Sequence, residues 1–472
     1  MAGFRITHAL AIAFLVLVVL PQMVRPAKSK YPRMTVTPRT KQQLNKFFKN
    51  HASDMAGQVP SQGQGNGSSS GDEKEPGGAG SGSSNGQAPA TNAGMYYYSY
   101  SIGTPPQPVS GALDISSELV WTQCPCATCD AAPGTTLFNP TLSTTVAELP
   151  CTSGTCQDFV TQTCSITECT YTYSYLFGTA NTTGAGDFGG ASAGVIGLGR
   201  GPFSLVSQLQ ADRFAYYFAP DGDSAAAANG TESFIHLGDD ATPQTSRAVS
   251  TPLLSSSDDP NIYLVGLTGI RVDGKDLAIP RGTFDLRKDG SGGGVVLSIA
   301  VPVTFLEESA YNVLRQALVS GIRSPTVNSS EALGLDLCYT SKSLATAKIP
   351  AIALVFDGDG AVMELEVGNY FYTDASSGLE CLTILPSSAG GTSLLGSLIQ
   401  VGTHMIYDLH GSKLVFESLE QSSSSSSSPS PPLPSNSSEA ASRKRPSSSA
   451  PSPQILPVLL AHFLWVVVFM IL

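Results

Sequence analysis

The sequence predicts a mainly β protein whose folded body runs from about residue 95 to residue 420. Three observations predict it. Short runs rich in Val, Ile, Tyr, Thr and Phe alternate with clusters of Gly, Pro, Asn and Asp, the mark of closely spaced strands and turns; Tyr96 to Ile102, Ile262 to Val272, Ala351 to Phe356 and Lys413 to Phe416 are examples. Helical periodicity is scarce, with Phe305 to Ser320 as the best candidate, placing Leu306, Ala310, Val313, Leu314, Ala317 and Leu318 at helical spacing. The length of 472 residues allows one large two-lobed unit or two to three ordinary domains.

The N-terminus reads as an address. Residues 1–25 carry Arg5, an apolar run from Ala9 to Leu20, then Pro21 and small or polar residues. That is the pattern of a secretory signal peptide, and the run is too short for a good membrane span. A polar segment follows, with a helix expected near Lys41 to His51. From Gly57 to Asn92 the chain is mostly Gly, Ser, Gln and Pro, which cannot build a core. Residues 26–93 thus form a prosegment-like region and a disordered linker.

The C-terminus reads as a second address. Seven serines, Ser422 to Ser428, open a Ser/Pro-rich stalk over 421–454, and an apolar tail, 455–472, ends the sequence. The small residues Asn436, Ser437, Ser438, Ala440, Ala441 and Ser442, a polar spacer and that tail make a GPI-attachment signal. A single-pass anchor is the rival, since the tail nearly reaches the ~20 apolar residues a span requires and Arg443 to Arg445 could flank it. Either way the expected location is the secretory pathway and then the cell surface or cell wall.

Charge and cysteines narrow the function further. A net charge of −11 excludes general affinity for nucleic acid or anionic membranes. Seven of the nine cysteines lie between Cys124 and Cys169. Cys124-Pro-Cys126 and Cys126-x-x-Cys129 admit a zinc reading, but behind a signal peptide disulfides are expected, with no metal and no cofactor. The odd count leaves one cysteine without a partner. Asn66, Asn181, Asn229, Asn328 and Asn436 head glycosylation sequons, in keeping with secretion.

Four stretches carry a resemblance. Tyr98 to Gln107 reads Tyr-Ser-Tyr-Ser-Ile-Gly-Thr-Pro-Pro-Gln and leads into Leu113-Asp-Ile-Ser-Ser-Glu-Leu-Val-Trp-Thr-Gln-Cys124. Gly194-Val-Ile-Gly-Leu-Gly-Arg-Gly201 precedes Ser204-Leu-Val-Ser-Gln-Leu209. Gly294-Val-Val-Leu-Ser298-Ile-Ala-Val-Pro-Val-Thr-Phe-Leu306 precedes Ala310-Tyr311, and Leu394-Leu-Gly396-Ser precedes Ile406-Tyr-Asp408. In order and spacing these resemble the pepsin-like aspartic peptidases, and Val120 to Cys124 resembles their nepenthesin-like plant branch. Alone, Gly197-x-Gly199-x-Gly201 is too short for a dinucleotide loop and sits in a β-rich context. The resemblance implies a bilobal fold with an N-terminal lobe over 94–250, a C-terminal lobe over 251–420, and a cleft between them that takes an extended peptide or protein. A monomer is expected. Cys338 and Cys381, alone in the second lobe, are expected to pair.

In that family two carboxylates, one per lobe, share a proton, because two like charges so close cannot both ionise. One activates water and the other protonates the substrate carbonyl. Each comes from an Asp-Thr/Ser-Gly-Ser/Thr loop. Here the first loop reads Asp114-Ile115-Ser116-Ser117 and the second reads Ser298-Ile299-Ala300-Val301. Asp114 is retained; the second Asp is lost to Ser298. Serine cannot cycle as the dyad's acid, and losing one acid–base partner typically removes ~10²–10⁴ of rate. No histidine stands in a motif that would activate Ser298 as a nucleophile. In the family the hydroxyl residue after each Asp bonds across to the other loop; here both positions have become isoleucine, Ile115 and Ile299, which predicts an apolar contact in place of a polar one at the lobe junction. Cys169 to Tyr175 resembles the strand that ends in the substrate-covering tyrosine, with Tyr175 in register. The strands that the family places between there and Gly194 are missing, so the N-lobe is truncated after the flap. The expected function is therefore a peptide- or protein-binding pseudoprotease of the cell surface; the alternatives are a weakly active aspartic endopeptidase and an inhibitor of another secreted hydrolase.

Overall fold

The computed structural model describes residues 31, 33–50, 96–125, 136–148, 150–157, 162–165, 168–175, 178–181, 194–220, 232–257, 259–288, 292–328, 333–387 and 391–419. The expected signal peptide, linker, stalk and anchor lie outside these residues, as do Asn66, Asn229, Asn436 and the attachment candidates Ser437, Ser438, Ala440, Ala441 and Ser442.

The described chain is a β protein. Residues 31–50 give β1 (Met34–Thr35), β2 (Thr37–Pro38) and helix α1 (Lys41–Asn50). Then come β3 (Tyr96–Ile102), β4 (Gln107–Asp114), β5 (Val120–Thr122), β6 (Gln162–Ser165), β7 (Glu168–Tyr175), β8 (Gly178–Asn181), β9 (Gly194–Gly197) and the one-turn helix α2 (Leu205–Gln208). The middle of the chain supplies β10 (Arg213–Tyr217), β11 (Phe234–Leu237), β12 (Val249–Leu254), β13 (Leu264–Val265), β14 (Leu267–Val272) and β15 (Lys275–Asp276). Next are β16 (Val295–Leu297), β17 (Thr304–Leu306), helix α3 (Glu308–Ile322), β18 (Cys338–Thr340), β19 (Ile352–Phe356) and β20 (Val362–Leu365). The chain closes with β21 (Phe371–Asp374), β22 (Leu379–Leu382), β23 (Ile384–Pro386), β24 (Ser393–Leu395), β25 (Thr403–Asp408) and β26 (Lys413–Ser418).

An eleven-stranded sheet, ordered β1-β11-β10-β25-β26-β12-β13-β16-β24-β17-β23, joins strands from both halves of the chain. A five-stranded sheet, β2-β3-β4-β9-β5, belongs to the first half alone, and β15-β14-β19-β20 to the second. One contiguous buried cluster runs through both halves, from Leu113 and Ile196 to Leu297, Leu314 and Tyr407. At about 2 kcal/mol per fully buried large apolar side chain, that shared core is what holds the halves together.

The expected helix from Phe305 begins later than its periodicity suggests. Phe305 and Leu306 belong to β17, where Phe305 pairs Leu394 and the strand runs parallel to β23. Glu307 caps the helix, accepting from the amides of Ser309 and Ala310. Sheet pairing outcompetes helical spacing there because both faces of β17 are buried. The expected helix near Lys41 is present, but it is preceded by two short strands that the polar composition of the segment did not announce. Cys338 and Cys381 form the expected disulfide, at facing register positions of β18 and β22. Among the described residues Cys124 is the free cysteine. Asn181 ends β8, and Asn328 is exposed.

Candidate active site

The same crossing is built twice. In the first half β4 leaves the sheet at Asp114, turns through 115–119 and returns as β5, with β9 threaded between them: parallel to β4, antiparallel to β5. In the second half β16 leaves at Leu297, turns through 298–303 and returns as β17, with β24 threaded in the same way. Register makes the two superposable by position. Leu113 pairs Ile196 as Leu297 pairs Leu395, so Asp114 and Ser298 stand at equivalent places, as do Gly197 and Gly396. Those two glycines have one cause. A Cβ on Gly197 would lie 2.5 Å from the Ser117 carbonyl, and one on Gly396 would lie 2.1 Å from the Val303 carbonyl. The crossing strand passes too near the loop for any side chain.

The first loop is polar and closes on itself. Asp114 is 4% exposed. Its Oδ1 accepts from the Ser116 amide at 2.8 Å and from the Ser116 hydroxyl at 2.5 Å. Burial pushes the carboxyl above its ordinary value, against the Ser116 hydroxyl and the backbone amides of Ser116 and Ser117, which favour the charge. Ser116 stands where the resembling loops carry glycine, and its hydroxyl is what the glycine would not supply. The Ser117 hydroxyl, fully buried, is held at the Leu119 amide at 3.3 Å. The Asp114 carbonyl also accepts from the Leu198 amide at 2.8 Å, which ties the loop to the strand that crosses it.

The second loop keeps the turn and loses the charge. Ser298 is fully buried, and its hydroxyl accepts from the Ala300 amide at 3.3 Å. That is the same two-residue bond that Ser116 makes to Asp114, longer and to a neutral acceptor. The Ser298 amide donates to Leu395 at 3.0 Å. Its carbonyl accepts from Gln400 Nε2 at 2.9 Å, and the same nitrogen reaches the carbonyls of Leu395 at 3.1 Å and Gly396 at 3.0 Å. Gln400 Oε1 accepts from the Tyr216 hydroxyl at 2.5 Å, which lies 3.0 Å from the Tyr407 hydroxyl. Burial raises both phenols well above their ordinary range, so both stay protonated and able to donate. A buried polar chain therefore runs from β10 and β25 to the second loop. Nothing in the sequence around Gln400, a lone amide after an apolar run, announced it.

Tyr263 connects the loops. Its hydroxyl donates to the Leu198 carbonyl at 2.9 Å, and its own carbonyl accepts from the Leu297 amide at 3.0 Å. Leu198 follows the crossing strand of the first loop, and Leu297 precedes Ser298. The predicted isoleucine pair is fully buried: Ile115 and Ile299 are both 0% exposed and belong to the same contiguous core cluster. Tyr175 ends β7 and pairs Gly178 of β8; its side chain lies outside the described residues.

The arrangement offers one buried carboxylate and one buried hydroxyl where two equivalent loops turn. A carboxylate can accept a proton and hold a water; a serine hydroxyl with no base beside it donates and accepts hydrogen bonds only. Among the described residues no group of three metal-ligating side chains is placed to hold an ion.

Comparison with known proteins agrees with this geometry. Two family profiles match, described as Xylanase inhibitor N-terminal over residues 96–189 and Xylanase inhibitor C-terminal over residues 262–418. Aspartic proteinase nepenthesin-1 of Nepenthes gracilis is 36% identical over 353 residues, covering 69% of this chain and 78% of that protein. Aspartyl protease 37 of Oryza sativa subsp. japonica is 31% identical over 380 residues, covering 68% and 80%. Among solved structures, basic 7S globulin from soybean aligns with a TM-score of 0.51 at 18% identity, covering 70% of this chain and 94% of that one. Conglutin gamma from lupine seeds aligns at 0.51 and 19%, covering 69% and 91%. These two share the bilobal fold.

Proposed function

The chain belongs to the nepenthesin-like branch of the pepsin-like aspartic peptidases, and on that footing we propose that it is a pseudoprotease, a binding protein of the cell surface or extracellular space that keeps the fold and has lost the chemistry. The observation that carries the reading is the pair of equivalent loops. Asp114 stands at one and Ser298 at the other, so no proton can be shared between two carboxylates there. Ser116 already occupies Asp114 Oδ1 with both its amide and its hydroxyl. What remains is a peptidase scaffold able to hold an extended peptide by strand-like hydrogen bonds between its lobes. Secretion and a C-terminal lipid anchor belong to the same proposal and rest on the terminal sequences, and N-glycosylation rests on the sequons.

The test is cleavage of a mixed peptide library at acid pH by the purified protein, beside Asp114→Ala and Ser298→Asp variants, with pepstatin as control. No turnover above the Asp114→Ala background is expected from the natural sequence. Pepstatin-sensitive turnover that disappears in Asp114→Ala would overturn the reading and leave a single-carboxylate enzyme. A second reading, an inhibitor of another secreted hydrolase, is favoured by the match to the two xylanase-inhibitor profiles. It would be supported by a stoichiometric complex with a xylanase and loss of that xylanase's activity.

A further inference from the structure

Residues 31–50 lie in the stretch that the sequence marks as prosegment-like, yet they supply edge strands to two sheets and a helix that contacts a third. Met34 and Thr35 pair Ile235 and Phe234 at the edge of the eleven-stranded sheet, and the Val36 amide donates to the Ser233 carbonyl at 2.9 Å. Thr37 and Pro38 pair Tyr97 and Tyr96 at the edge of the five-stranded sheet. Helix α1 then reaches the C-terminal part of the chain. Asn45 Nδ2 donates to Asp374 Oδ1 at 2.8 Å, and the Phe48 ring lies 4.6 Å from that of Tyr372, centroid to centroid. Asp374, at the end of β21, is itself 1% exposed. Five apolar side chains of this short segment are buried in the common core: Met34, Val36, Leu44, Phe47 and Phe48.

The sequence adds a second, independent observation. If the segment were removed, something would have to cover the two sheet edges and fill the sites of those five side chains. The next stretch cannot do so. From Gly57 to Asn92 it is made chiefly of Gly, Ser, Gln and Pro and offers Val59 as its one large aliphatic side chain, with no Leu, Ile, Phe or Met. A bare strand edge and an emptied core site are both costly.

We propose that residues 31–50 are a permanent part of the mature molecule, and that the surface they cover is a strand-and-helix receptor whose occupant is this segment. The receptor holds it even when the chain between 51 and 95 is cut, so a nicked molecule is a two-chain protein. The segment ties β3 and β11 of the first half to β21 of the second, acting as a strap across the lobes.

The experiment uses the full chain secreted by plant cells, with a site-specific protease sequence inserted between Gly67 and Ser68. After cutting, confirmed by a denaturing gel, the protein is passed through a native sizing column and each peak is peptide-mapped. Peptides from 31–50 are expected in the same peak as the body and in equal amount. Their loss from a body that stays folded, with an unchanged thermal midpoint, would overturn the proposal. So would a mature protein whose peptide map begins after residue 50 before any engineered cut. In the uncut chain Phe48→Asp is expected to lower the thermal midpoint by several degrees, and after cutting to release the N-terminal piece. An unchanged midpoint with the piece still bound would show that the helix contact holds nothing.

Discussion

The two crossing loops are the same structure solved with different chemistry. In the first half the turn is held by polar side chains: Ser116 on Asp114, and Ser117 on Leu119. In the second half the equivalent residues are Ser298, Ile299, Ala300 and Val301, all buried, and the turn is held from outside by Gln400. A loop that carries a charge must satisfy it locally, because a buried carboxylate without donors would neutralise. A loop that has lost its charge can hand that duty to a neighbour. Backbone geometry survives both solutions because the threaded glycine strand, not the carboxylate, dictates the turn.

The sharpest way to break the comparison is at that glycine. Gly396→Ala places a Cβ 2.1 Å from the Val303 carbonyl, backbone against backbone, with nothing flexible to yield. Urea unfolding is expected to show a loss of about 3 kcal/mol or failure to fold. Gly368→Ala, where an added Cβ meets nothing within 4 Å, is the matched control and should change little. If Gly396→Ala is equally silent, close approach is not what shapes the crossing.

Gln400→Leu should come next. It removes the donor from the Ser298 and Gly396 carbonyls and the acceptor from the Tyr216 hydroxyl, while Leu395 keeps the Ser298 amide and Tyr216 keeps Tyr407. Leaving buried carbonyls unpaired costs about 1–3 kcal/mol, and a loss of roughly 2 kcal/mol in urea unfolding is expected here. Ser117→Ala in the first loop, which removes only long bonds of 3.3–3.4 Å, should cost less. Equal losses would mean that the second loop does not depend on its external brace.

Much of this was legible in the sequence and some was not, for reasons that differ by residue. The composition of Tyr96 to Ile102 predicts a strand, and it is one over its full length, because its aromatic and β-branched content agrees with its pairing to β4. The motifs place Asp114 and Ser298 at matching loops, and the two occupy equivalent register positions. Ser116 stands where the family motif has glycine, and its hydroxyl bond to Asp114 is a matter of rotamer that no motif reports. Gln400 acts on a residue 102 positions away, and contacts at that separation leave no local signal. Phe305 shows the reverse failure: its helical spacing was genuine, and a buried strand took precedence.

A second buried carboxylate sharpens what Asp114 lacks. Glu417, 3% exposed, accepts at Oε1 from the Gln244 amide at 2.6 Å and at Oε2 from the Thr245 amide and hydroxyl at 2.8 and 2.7 Å. Its Oε1 also lies 2.9 Å from Nδ1 of fully buried His404. Burial lifts its carboxyl, but these donors together hold it below its ordinary value, whereas burial prevails at Asp114. Burial also lowers His404, which stays neutral and donates to the carboxylate. Both groups thus bind fewer protons folded than unfolded, so their stabilisation is present above the unfolded values, near 6.5 for His and 4.3 for Glu, and is lost as the pH falls through the folded ones. Glu417→Gln is expected to cost about 2 kcal/mol at pH 7, and the difference from the natural sequence should shrink on acidification. A difference that is constant from pH 7 to pH 3 would show that the charge is not what the site stabilises.

The smallest effect is the most telling for Asp114 itself. Its folded carboxyl is raised by burial, so the folded state holds the proton more tightly than the unfolded chain. The sign is opposite to that of Glu417: the charge costs stability once the pH rises through the folded value, and costs nothing below the unfolded one near 3.9. Asp114→Asn keeps an oxygen for the amide and hydroxyl of Ser116 and deletes the charge. It should therefore stabilise the protein at pH 7, by on the order of 1 kcal/mol, and the gain should vanish in thermal unfolding near pH 3. An enzyme gives up its activity for such a gain, whereas a binding scaffold gives up nothing. If Asp114→Asn is instead destabilising at neutral pH, the carboxylate is held by more than Ser116, and the first loop still guards its charge as a working site would.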